Sequence, residues 1–185
     1  MASSSVSKNR WRTLDIVYIA LFAVLITVCA WISIPLTVPF TMQTFAVFAS
    51  SGLLGGRRGT FAVLVYILMG AVGLPVFHGF TGGIGILLGS TGGYILGFLF
   101  SALVYWGVTH LLGEKLWVQA MAMVLGLMIC YAFGTAWFMV VYARASGAIG
   151  LLTALGWCVF PFILPDLAKI ALALGLTQLL KKYVK

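Results

Sequence analysis

Apolar runs close to the length of a bilayer crossing, separated by polar or glycine-rich joints, recur from residue 14 to residue 180. Six are read: residues 14–34, 40–54, 60–74, 94–112, 117–142 and 151–180. A spanning helix needs about 20 apolar residues at ~1.5 Å each. The first run meets that length and exceeds the ~7–15 apolar residues of a signal-peptide core. The second and third are short, and are expected to be tilted or kinked. The sixth is too long for one straight crossing. Pro161 and Pro165 lie inside it, so its first part is expected to be a loop or interfacial piece. The spanning helix should then start near one of these prolines, because proline suits a first helical turn.

Composition fixes the class. The chain is 63% hydrophobic and 8% charged, whereas soluble domains carry roughly 25% charge. The expected architecture is an all-α integral membrane protein. It has a polar tail over residues 1–13 and one six-helix transmembrane domain over residues 14–182. The net charge of +8 comes from Lys and Arg at the ends of the apolar runs. That is a topology signal rather than a nucleic-acid groove. With the N-terminus inside, the inner side holds Lys8, Arg10, Arg12, Arg57, Arg58, Lys115, Lys181, Lys182 and Lys185, and the outer side only Arg144. The bias predicts six crossings with both termini cytoplasmic. Cys29, Cys130 and Cys158 lie in apolar runs without CxxC spacing and read as small buried hydrophobes, not metal ligands.

Two features break the apolar pattern, and this topology puts both in the outer half. One is a glycine-rich loop over residues 75–93, with seven glycines between Gly79 and Gly93. Loops of that length in compact proteins are usually lids, binding loops or disordered. Here the loop is expected to gate a site, its glycines, Gly82 and Gly83 among them, turning backbone N–H groups toward a ligand. The other feature is Asp166 and Lys169, the only charges in residues 160–180. An acid and a base three apart share a helix face. An ionisable group at the centre of the bilayer costs at least ~2.5–3.5 kcal/mol. Replacing a buried pair by apolar residues is often neutral, so stability alone is a weak reason to keep one, and a polar binding site is expected. Gln43, the only amide of the second run, and Tyr94, at the outer start of the fourth, are further candidates. Interhelical bonding and interfacial anchoring are the competing roles for these two. Thr41 and Thr44 can bond their own backbone. In the first run Ala23 and Thr27 make a small-xxx-small pair beside Ala20, which permits close helix approach.

The segments IPLTVPFTMQTFAVF (residues 34–48), GLLGGRRGTFAVLVYILMGAVGLPVF (52–77), GFTGGIGILLGSTGGYILGF (79–98) and PFILPDLAKIALA (161–173) carry a resemblance. With TMQTF, GLPVF, GxTGGY and PDxxK in that order, the chain resembles the BioY family. These are the biotin-binding S components of energy-coupling-factor (ECF) vitamin transporters of prokaryotic cytoplasmic membranes. The resemblance implies biotin as bound substrate and no other cofactor. It also implies a transmembrane coupling subunit and two ABC-type ATPase subunits as partners, with self-association left open. Asp166 would accept from a ureido N–H and Lys169 would donate to the ureido oxygen, with the opposite orientation, Lys169 on the valerate, left open. Phe77 and Phe80 would pack on the thiophane ring. Ala20, Ala23 and Thr27 would face the coupling subunit. His78 departs from the small residue expected at its position.

No GxxxxGK[ST] loop is present, so the chain carries no ATPase motif of its own. It has no HExxH, no GxSxG and no plausible Ser/His/Asp set, which leaves a non-enzymatic binding subunit as the main expectation. An S component for another vitamin, or a proton-coupled permease or channel relaying protons through Asp166, remains as an alternative.

Overall fold

Each of the six apolar runs carries a helix in a computed structural model of the chain, in which residues 12–183 are described. Nearly all of the expected 1–13 tail, and Lys185, fall outside the described residues. In chain order the elements are α1 (Thr13–Trp31), β1 (Ser33–Ile34), β2 (Phe40–Thr41), α2 (Gln43–Leu54), α3 (Gly56–Ala71), a 3-10 turn (His78–Phe80), α4 (Ile84–Leu88), α5 (Gly92–Leu112), α6 (Leu116–Ser146), α7 (Leu151–Cys158) and α8 (Phe160–Leu180). Beside the six helices expected to span, two short ones, α4 and α7, bring the total among the described residues to eight α-helices. Four of them, α1, α5, α6 and α8, are long and apolar enough to cross a membrane. With 12 and 16 residues, α2 and α3 are ~18 and ~24 Å long, against a hydrocarbon core of ~30 Å.

The two extra helices arise where proline and glycine interrupt apolar sequence. The sixth run divides at Val159, whose φ of −127° and ψ of −56° leave the helical region. Pro161 has no N–H to continue α7, but fits the first turn of α8. Pro165 lies inside α8 rather than at its start. The fourth helix is the apolar IGILL centre of the glycine-rich loop, and it turns Leu87 inward.

Burial explains the packing. Every residue of α2 except Phe45 is buried, as expected for a helix that is apolar all round. It packs against α1, α3, α5 and α8. Helices α5 and α6 form the most extensive pair. On α1, Ile19, Phe22, Ala23, Ile26 and Ala30 face inward, while Leu14, Ile16, Val17, Leu21, Val24 and Val28 remain exposed. So broad an apolar outer face suits lipid, not water.

The chain turns so that its ends collect on one side. The start of α1, the α2–α3 turn at Gly55, the end of α5 and the end of α8 meet through ion pairs. Arg58 lies 2.7 Å from Asp15 and Lys181 lies 2.6 Å from Glu114. This is the basic end. At the opposite end lie the β1–β2 ribbon, the glycine-rich loop and the first part of α8. In the ribbon, Ser33 pairs with Thr41 and Ile34 with Phe40.

Candidate functional site

Asp166 and Lys169 sit on one face of α8 with their side chains turned into the bundle, 3% and 4% exposed. Lys169 Nζ donates to Asp166 Oδ1 at 2.7 Å and to the Thr41 carbonyl at 2.7 Å. It also lies 3.9 Å from the centre of the Phe40 ring, a cation–π distance. The other carboxylate oxygen, Oδ2, accepts the Tyr131 hydroxyl at 2.6 Å. Each charge therefore has its opposite plus a further partner, which is what burial of an ion pair requires. The β1–β2 ribbon sets two of these contacts, since it holds Phe40 stacked on Phe162 at 6.2 Å between ring centres and Thr41 beside α8.

The pair lines a cavity of about 50 Å³, walled also by Thr44, Tyr94, Phe98, Leu127, Tyr131 and Phe162. Val38, Pro39, Thr41, Tyr94 and Phe98 also line a second hollow of about 40 Å³, into which Gln43, His78 and Thr91 face. The two hollows adjoin through these five shared residues and together make a cleft with a charged end and an uncharged polar end. Tyr94 lines both. Its ring packs on Gly134, where any side chain would collide with it, and its hydroxyl bonds Thr135 at 2.8 Å. The amide of Gln43 donates to the Tyr66 hydroxyl at 2.9 Å. A roomier hollow of about 380 Å³ opens at the basic end, among Asp15, Arg57, Arg58, His110 and Glu114. Its acids are engaged by Arg58 and Lys181, and its lining is mainly polar, with Leu54 and Trp106 as its large apolar members, unlike the predominantly apolar walls of a typical small-molecule pocket.

Of the residues picked from sequence, the cleft brings together Asp166, Lys169, Gln43 and Tyr94, and it adds His78. It does not gather the other four. Phe77 is fully buried behind Gln43, edge-on to Tyr66 at 5.6 Å. Phe80, at a φ of 58°, is 64% exposed and packs on Trp31 at 4.8 Å. Gly82 abuts the Leu74 carbonyl, and Gly83 donates its N–H to the Gly70 carbonyl at 2.7 Å. These glycines fasten the loop to the end of α3 and line neither half of the cleft. The small-residue face of α1 is also reassigned. Ala23 is wholly buried and Thr27 is buried with its hydroxyl on the Ala23 carbonyl at 3.0 Å. They pack inside the bundle, and only Ala20 is exposed.

Tyr131 was not singled out from the sequence. The available signal was its position, a hydroxyl in the middle of a 31-residue apolar helix and far from either interface, where tyrosines ordinarily anchor. The three cysteines are free and buried, as their apolar surroundings suggested.

Comparison with known proteins gives the chain a family. The family model described as BioY matches residues 3–185. The Biotin transporter BioY of Thermotoga maritima is 44% identical over 169 residues, covering 88% of this chain and 92% of that protein. The Probable biotin transporter BioY of Pyrococcus horikoshii is 34% identical over 168 residues, covering 90% and 96%. Among solved structures, the S-component for biotin from an ECF-type ABC transporter superposes with a TM-score of 0.80 at 26% identity, over 91% of this chain and 90% of that one. The chain belongs to the BioY family.

Proposed function

We propose that this chain is the biotin-capturing S component of an ECF-type transporter in a prokaryotic cytoplasmic membrane, and that biotin binds in the cleft beside Asp166 and Lys169. The observation that carries the site is the buried ion pair, held at 2.7 Å in the wall of a cavity. The relatives named as biotin transporters support the choice of ligand. The chain is a binding subunit and not an enzyme. Its inward transport step is powered by a transmembrane coupling subunit and two ATPase subunits. Of the α1 residues first assigned to the coupling contact, only Ala20 is exposed to meet a partner.

The six-crossing topology with cytoplasmic termini is part of the same proposal. The basic end gathers Arg57, Arg58 and Lys181 with the start of α1. That gathering supports placing it inside and the cleft outside.

The pair matches the ureido ring of biotin in charge and in hydrogen bonding. A ureido N–H donates to the Asp166 carboxylate, taking the place of the Tyr131 hydroxyl. The ureido oxygen accepts from Lys169, taking the place of the Thr41 carbonyl. A neutral head beside a neutral ion pair brings no uncompensated charge into the bundle, whereas a carboxylate would meet Asp166 at close range. Pockets for drug-sized ligands run about 300–1,000 Å³, well above the 50 and 40 Å³ of the two halves. Biotin therefore enters by displacing the β1–β2 ribbon, which the Lys169–Thr41 bond ties to α8, and the ribbon and loop then close over it.

Calorimetric titration of the purified chain tests this. Biotin binds tightly, desthiobiotin competes, and thiamine and riboflavin do not. Asp166→Asn and Lys169→Ala each weaken binding by at least about tenfold, that is ~1.4 kcal/mol. Unchanged affinity in both variants refutes the site.

A further inference from the structure

We infer that His78 is a ligand-contact residue of the uncharged end of the cleft, where its imidazole receives the carboxylate of the ligand's tail. The inference rests on the biotin reading and extends it to the end of the molecule that Asp166 and Lys169 leave unserved. If the neutral ureido head occupies the ion pair, the anionic tail must lie away from Asp166. Past Tyr94 and Phe98, which line both halves of the cleft, lie the polar side chains of Gln43, His78 and Thr91, whereas the hollow on the other side of Tyr131 is walled mainly by apolar residues such as Met139, Leu151, Leu155 and Val159.

The chemistry of that end singles out His78. Gln43 uses one of its two amide N–H groups on Tyr66 and carries no charge, so it can add a hydrogen bond but no countercharge. Thr91 offers a hydroxyl but no charge. His78 is half-buried and its ring has no hydrogen-bond partner among the described residues, although its backbone carbonyl accepts from Thr81 Oγ1 at 2.9 Å. An imidazole in the wall of a cleft with both nitrogens unspent can donate to an oxyanion, and when protonated it also supplies the countercharge. The 3-10 turn that carries it is held in place from both sides. The Phe77 N–H donates to the Thr81 carbonyl at 2.9 Å, and the Trp31 indole N–H to the Pro75 carbonyl at 3.0 Å.

No charged side chain lines this end. The only other titratable group in its wall is Tyr94, whose hydroxyl is engaged by Thr135, and Tyr66 behind it is engaged by Gln43. Burial pushes the imidazole below its ordinary pKa, and a bound carboxylate raises it again. The sign follows: ligand binding takes up a proton at His78. The gain in affinity is full below the pKa of the free protein, and it is lost as pH rises through the pKa of the complex.

The test is titration of the full chain in detergent with biotin and with its neutral primary amide, between about pH 5.5 and about pH 8. Biotin affinity rises up to about tenfold toward the acid end, the amount set by a one-unit shift, while affinity for the amide stays flat. His78→Gln flattens the biotin profile and narrows the preference for biotin over its amide. His78→Lys, with a permanent cation, keeps that preference and loses the pH dependence. A pH dependence that survives in His78→Gln, or an unaltered preference in that variant, overturns the inference while leaving biotin binding at Asp166 and Lys169 intact. If the wild-type chain binds neither compound, the biotin reading itself has failed.

Discussion

Ion pairs hold both ends of this molecule, and their lengths barely differ: 2.7 Å for Asp166–Lys169, against 2.7 Å for Arg58–Asp15 and 2.6 Å for Lys181–Glu114. Their surroundings differ greatly. The side chains of the first pair are each 5% exposed, whereas those of the Lys181–Glu114 pair are 27% and 55% exposed. Water screens the exposed pair and competes for its hydrogen bonds, so such pairs contribute about 0–1 kcal/mol. The buried pair gives up hydration and depends wholly on Tyr131, Thr41 and Phe40 to replace it. Similar distances thus describe an exposed clasp in Lys181–Glu114 and a dehydrated, fully partnered pair in Asp166–Lys169.

Breaking the buried pair from one side tests the contrast most severely. Lys169→Ala leaves a lone carboxylate in the bundle, and thermal unfolding in detergent should show a loss of about 3–5 kcal/mol, together with loss of biotin binding. Replacing both partners, as Asp166→Leu with Lys169→Met, removes the unpaired charge. Most of the stability returns and biotin binding does not. If the double variant recovers binding, the pair is a structural pin and not a site. A smaller effect is expected from Tyr131→Phe, which deletes one hydrogen bond to a charged acceptor, worth about 1.5–3 kcal/mol. Asp166 stays paired with Lys169, so the variant folds, and its biotin affinity rises in titration, because the ureido N–H no longer has to displace the Tyr131 hydroxyl. At the basic end, Lys181→Ala shifts stability by no more than about 1 kcal/mol and leaves biotin affinity unchanged.

Much of this was legible in the chain and some was not, for identifiable reasons. Asp166 and Lys169 stood out because they share an apolar run and their spacing alone puts them on one helix face. A break in the sixth run was expected near Pro161 or Pro165 with a loop or interfacial piece before it; instead the helix α7 precedes it and the break falls at Val159, because that helix stops before Pro161, which cannot donate to it. The partners of the ion pair were harder to find. Tyr131 is 35 positions from Asp166 and Thr41 is 128 positions from Lys169, and no local periodicity links residues so far apart. Thr41 also acts through its backbone carbonyl, a group present at every position of any sequence. Phe77 and Phe80 were misplaced because loop residues carry no pattern that tells which side faces inward; here Phe77 fills the core and Phe80 covers Trp31. Ala23 and Thr27 were correctly read as small residues for close approach, but the helices they approach are those of their own bundle.

The glycine-rich loop hangs from two indoles: Trp31 holds the carbonyl of Pro75, and Trp137 holds that of Gly89 at 3.0 Å. Any motion that lifts the loop must sever these bonds and bring the rings into a wetter setting. The protein thus carries an intrinsic optical probe of this loop, readable as a change in emission colour if the loop lifts when ligand is mixed in, with no dye attached.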